Sequence, residues 1–99
     1  MSKFGELIDY NFPVLLDFYT EWSEGSKEMH PVLRDVAVAI GEKGKVIQID
    51  VDKNNELASA LHIKTLPTLI IYKNGEMIWR QSGAQDANTL IHLMQQYVS

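Results

Sequence analysis

The chain has 99 residues, 45% hydrophobic and 22% charged, which supplies apolar material for one compact core and leaves too little length for two domains, so a single domain over residues 1–99 is expected. Its net charge of -4 comes from acids and bases scattered along the chain, without the Lys/Arg cluster that would neutralise a row of phosphates, and nucleic acid is excluded as an expected partner. The absence of cysteine excludes structural disulfides, thiolate metal sites and thiol nucleophiles.

Residues 1–10 carry Lys3, Glu6 and Asp9 and no apolar run of signal-peptide length, and no later stretch approaches the ~20 apolar residues of a membrane span. A cytoplasmic, monomeric protein without membrane association is the resulting expectation. From Lys3 to Asp9, Phe4, Leu7 and Ile8 recur at helical spacing, and Asn11 with Pro13 ends the pattern. Residues 13–19 form an almost unbroken apolar run, as a strand covered on both faces requires, and Asp17 is the anomaly inside it.

Residues 22–40 place Met29, Leu33, Val36 and Ala37 on one helical face, with Pro31 inside the pattern removing a backbone donor, and Gly41 to Gly44 stop the helix. Lys45 to Val51 alternates and is rich in Val and Ile, predicting a second strand. Leu57, Ala58 and Leu61 then mark a short helix within 54–62. Residues 68–72 and 77–82 are β-branched or aromatic and flank Lys73-Asn-Gly-Glu76, where Asn-Gly supplies the positive φ angles of a tight hairpin. Leu90, Ile91, Met94 and Val98 give the last segment, 86–98, an apolar helical stripe. The sum is an α/β fold with a mixed central sheet of about four strands and helices on both faces.

Several separated segments resemble the thioredoxin family: Leu15 to Tyr19, Glu21-Trp-Ser-Glu-Gly-Ser-Lys27, Pro31, Val51-Asp-Lys53, and Leu66-Pro67-Thr68 ahead of a Lys-Asn-Gly turn. The resemblance covers nearly the whole chain and implies the thioredoxin fold. The family's Trp-Cys-Gly-Pro-Cys-Lys motif maps onto Trp22, Ser23, Glu24, Gly25, Ser26 and Lys27, so both redox sulfurs are replaced by hydroxyls and the two central residues differ. It further implies a cis Pro67 beside the site, main-chain pairing of a partner's extended segment at Leu66, room for that segment at Gly83, and a buried carboxylate at Asp17. The lysine the family offers near that carboxylate is expected at Val46, and its loss makes His30 the expected partner of Asp17.

Disulfide exchange needs a thiolate and a sulfur leaving group, and a serine hydroxyl stays protonated at neutral pH. Ser23 is therefore expected to act as a helix N-cap worth ~1 kcal/mol, with Glu24 favoured in the first turn by the helix dipole. Ser26, His30 and Asp17 fall in an order that could form a nucleophilic triad, but no oxyanion hole is legible. His62 and His92 have no companion at ligand spacing, so neither a metal nor another cofactor is expected. Trp79 reads as a cross-strand packing residue, and Trp22 either covers the core or flanks the groove. The function implied is a redox-inactive module that binds extended protein or peptide segments through Trp22, Glu24, Gly25, Leu66, Pro67 and Gly83. The alternative is a thiol–disulfide oxidoreductase in a Cys-to-Ser form, although Glu24-Gly25, rather than Gly-Pro, between the serines favours natural divergence.

Overall fold

In the computed structural model, which describes residues 3–98, four strands form one sheet in the order β2-β1-β3-β4. Met1, Ser2 and Ser99, the outermost residues of the expected domain, lie outside that range. In chain order the elements are α1 (Lys3–Ile8), β1 (Val14–Tyr19), α2 (Glu24–Ile40), a 3-10 turn (Gly41–Lys43), β2 (Lys45–Asp50), α3 (Asn55–Ala60), β3 (Thr68–Lys73), β4 (Glu76–Ser82) and α4 (Ala87–Gln96). Strand β1 pairs in parallel with β2 and antiparallel with β3, and β3 pairs antiparallel with β4.

Successive residues of a strand face opposite sides of its sheet, and β1 and β3 are apolar at nearly every position, so both faces need a cover. On one face Leu15, Leu69 and Ile71 pack with Met29, Leu33, Val36 and Ile40 of α2 and Leu90 and Met94 of α4. On the other, Val14, Leu16, Phe18 and Ile70 pack with Ile8 of α1, and Leu57 and Leu61 close over that cluster. The buried stripe of α2 ends on Ile40 rather than including Ala37, which is exposed, because a turn of 3.6 residues carries position 37 past the sheet. Trp79 is half-buried, sits opposite Ile71 and packs against the α2-side cluster, as a cross-strand packing residue should.

The hairpin turns on Asn74 (φ 55°) and Gly75 (φ 77°), the pair of positive φ angles that a two-residue turn demands. Gly41 (φ 58°) closes α2, its amide donating to the Ala37 carbonyl. Gly44 is needed for space: a Cβ there would lie 2.8 Å from the Pro13 carbonyl oxygen and 2.7 Å from Ile40 Cγ2. Pro31 sits inside α2, which continues through it to Ile40, so Lys27 lacks the amide that would normally reach its carbonyl.

Candidate functional site

The C-terminal end of β1 runs into Thr20, and α2 begins four residues later, bringing a helix N-terminus over that edge of the sheet. Ser23 holds extended backbone (φ -95°, ψ 125°), and its Oγ accepts the Ser26 amide at 3.3 Å, which makes it the N-cap expected from the sequence. Ser26 is fully buried, and its Oγ accepts the Thr20 amide at 3.4 Å. Glu24 is exposed in the first turn and pairs with Lys27 at 3.7 Å, a solvated contact of small energetic weight. The side chain of Trp22, one residue before the cap, is 85% exposed, so it does not cover the core.

The loop before β3 closes on this helix start. The Leu66–Pro67 peptide bond is cis, and a Cβ built on Gly25 would lie 3.3 Å from Pro67 Cδ, 3.8 Å from the Leu66 carbonyl oxygen and 3.8 Å from Ser23 Oγ. Gly25 is therefore the residue that lets the loop approach the cap. Gly83 has φ 91°, donates its amide to the Pro67 carbonyl at 2.8 Å, and would project a Cβ into open space. No hydrogen bond engages the Leu66 amide or carbonyl among the described residues. Ser23, Gly25, Ser26, Leu66, Pro67 and Gly83, far apart in sequence, thus meet at one edge of the molecule, with Trp22 next in the chain and Asp17 set below on β1.

Asp17 shares the α2-facing side of β1 with Leu15 and is fully buried. One carboxylate oxygen accepts from Gln48 Nε2 at 3.3 Å, and the other has no partner among the described residues. Burial dominates, pushing the carboxyl from its ordinary 3.8 up to about 6, against the opposing pull of the Gln48 hydrogen bond and the charge of His30.

Two expectations are corrected here. Val46 lies opposite Leu15, and the residue opposite Asp17 is Gln48, so the place of the missing lysine was two residues off. Positions 46 and 48 point to the same face, so alternation cannot separate them and only the pairing register does. His30, in turn, is exposed and does not pair with Asp17 directly. Its Nδ1 lies 2.8 Å from Gln48 Nε2, placing the amide between the two groups, and its ring meets Tyr19 edge-on at 5.7 Å. No hydrogen bond joins Ser26 Oγ to His30 among the described residues, which leaves the triad order without its first link.

Two residues outside the sequence reading also shape the site. Thr20 donates through Oγ1 to Asp52 at 2.9 Å, tying the end of β1 to the loop after β2. Arg80 of β4 donates to the carbonyls of Leu61 (2.6 Å) and His62 (2.9 Å), clamping the end of α3. A basic residue in an edge strand carried no signal of this role, because its target is main chain.

A helix N-terminus capped by one hydroxyl, a second hydroxyl buried behind it, and a free main-chain segment at a cis proline define an α/β protein of the disulfide-exchange architecture without its sulfurs. The family model described as thioredoxin matches residues 1–96, and the chain belongs to the thioredoxin family. It is 42% identical over 91 residues to a chloroplastic thioredoxin Y of Oryza sativa, covering 91% of this chain and 54% of that protein, about half its length. A thioredoxin-like protein of Synechocystis is 37% identical over 86 residues, covering 87% of this chain and 82% of that one. Among solved structures, a mutant thioredoxin from Halobacterium salinarum superposes with a TM-score of 0.87 at 31% identity, covering all of this chain and 86% of the other. Oxidised thioredoxin from Plasmodium falciparum gives 0.82 at 29%, covering 100% and 93%.

Proposed function

We propose that this protein is a redox-inactive binding module: a single monomeric domain of the cytoplasm that captures an extended protein or peptide segment between Trp22, Leu66, Pro67 and Gly83. The observation that carries the reading is the main chain of Leu66, unengaged among the described residues, next to Pro67, whose carbonyl takes the amide of a glycine with an open Cβ direction, while the exposed Trp22 lies one residue before the cap. An extended segment can pair with that main chain as an added strand does, gaining hydrogen bonds independent of its sequence. Ser23 and Gly25 meet Pro67 at this edge, with Glu24 exposed beside them, and Ser26 and Asp17 are buried as the places where exchange chemistry would have sat. Neither hydroxyl supplies a thiolate, so capture is reversible and non-covalent. No helix among the described residues is long and apolar enough to cross a membrane.

The test uses carboxymethylated insulin B chain, an unfolded segment unable to exchange disulfides, titrated while indole fluorescence is followed. Saturable binding that weakens several-fold in Trp22→Ala is expected, and no binding by the wild type defeats the proposal. A second reading, a thiol–disulfide oxidoreductase in Cys-to-Ser form, is favoured by the intact cap geometry of Ser23 and the buried position of Ser26. The Ser23→Cys/Ser26→Cys double variant separates the two: vigorous dithiothreitol-dependent insulin reduction supports that second reading, and inactivity in a folded variant argues for long divergence.

A further inference from the structure

Next to the groove, and sharing Leu66 with it, lies an open hollow of about 460 Å³ between the end of β2, one face of α3 and the loop that follows. Its apolar lining comes from Val51, Ala58, Ile63 and Leu66, and its polar lining includes His62 and Lys64. The volume falls within the range of about 300–1,000 Å³ typical of ligand-binding clefts. Its rear wall is held in place without an occupant, because the Arg80 guanidinium clamps the Leu61 and His62 carbonyls that end α3. A cleft fixed in this way loses little entropy on filling.

The charge around the hollow is opposite to that of the molecule. The chain carries -4 overall, yet no carboxylate lines the hollow, and Lys64 is exposed and makes no ion pair among the described residues. The acids that follow β2 do not line it: Asp52 and Glu56 line a second depression that meets the hollow at Asn55, and Asp52 is also held by Thr20. A basic ligand would find no counter-charge here, whereas an acidic one would find Lys64 unopposed at an apolar cleft.

We infer that the segment captured in the groove places an aliphatic side chain in this hollow and an acidic residue beside it against Lys64, so that the preferred partners are extended stretches pairing Leu, Ile or Val with Asp or Glu. This rests on the groove reading above and deepens it by naming the partner's chemistry. Main-chain pairing at Leu66 supplies the general affinity, and the hollow with its lysine supplies the choice.

An array of short synthetic peptides tests it, with an otherwise constant Ser/Thr background in which one residue is Leu or Ala and its neighbour is Asp or Lys. Leu with Asp should bind best, and exchanging Asp for Lys should weaken binding about two- to fivefold, the worth of one exposed ion pair. Lys64→Glu should reverse that order, and Ser59→Phe, which fills the hollow from an exposed helical position, should lose about tenfold of the preference for Leu over Ala. Binding without a charge preference, or a preference untouched by Lys64→Glu and Ser59→Phe, overturns this inference and leaves the groove reading standing. Failure of every peptide to bind overturns the groove reading and this inference with it.

Discussion

The buried carboxyl of Asp17 makes the stability of this protein fall as pH rises through weak acid. In the unfolded chain the group titrates near its ordinary 3.8, whereas in the folded state burial holds it near 6. Below both values it is protonated in either state, and the folded protein keeps its full stability. Between them the folded state binds the extra proton, and above 6 the folded protein carries a buried charge that the unfolded chain hydrates freely. A gap of about two pH units corresponds to about 3 kcal/mol, lost progressively from about pH 4 to about pH 6 and absent in full at pH 7. Asp17→Asn keeps an acceptor for Gln48 Nε2 but places an amide nitrogen where one oxygen already lacks a partner, at a pH-independent penalty of about 1–3 kcal/mol. The quantity to follow is therefore the change with pH. Urea unfolding from pH 3.5 to 7.5, with equal slopes in the two proteins, should show the variant gaining about 3 kcal/mol on the wild type across that interval. Parallel stability curves would refute the reasoning, and so would a wild type that gains on the variant as pH rises.

Replacing Gln48 by Leu removes the only hydrogen bond to that carboxylate among the described residues, so the Asp17 carboxyl should titrate above 6, read directly by carbon NMR; a downward move contradicts the assignment of cause. Gly44→Ala drives a methyl to 2.8 Å from the Pro13 carbonyl, and a loss of about 1–3 kcal/mol in urea unfolding is expected. Ser23→Ala deletes the N-cap and should lower stability by about 1 kcal/mol in the same assay, whereas an unchanged midpoint would show that the cap is idle.

Much of this architecture is legible in the chain because the local signals agree with the tertiary ones. Asn74-Gly75 demands its hairpin, the doubly apolar runs of β1 and β3 demand two covered faces, and the stripe of Met29, Leu33 and Val36 demands a sheet beneath it, although its end falls on Ile40 and not on Ala37. The replaced sulfurs are visible as Ser23 and Ser26, and the gathering of Gly25, Pro67 and Gly83 follows once the resemblance fixes their order. Register is where sequence runs out: a shift of two along β2 changes no facing, so Val46 and Gln48 look alike until the pairing with β1 is seen. The same holds for His30, whose spacing from Ser26 suggests a shared face but whose ring ends on Gln48 and Tyr19. Contacts to main chain, such as Arg80 on the end of α3, leave no trace in side-chain pattern.

Docking at the cis-proline edge is what everything functional here depends on, and amide NMR of the labelled protein during titration with carboxymethylated insulin B chain tests it most directly. The Trp22 indole and the amides of Leu66 and Gly83 should move together and saturate with one affinity. Shifts confined to the opposite end of the sheet, around Tyr10, Lys45 and the Asn74 turn, or no shifts at all, would contradict it.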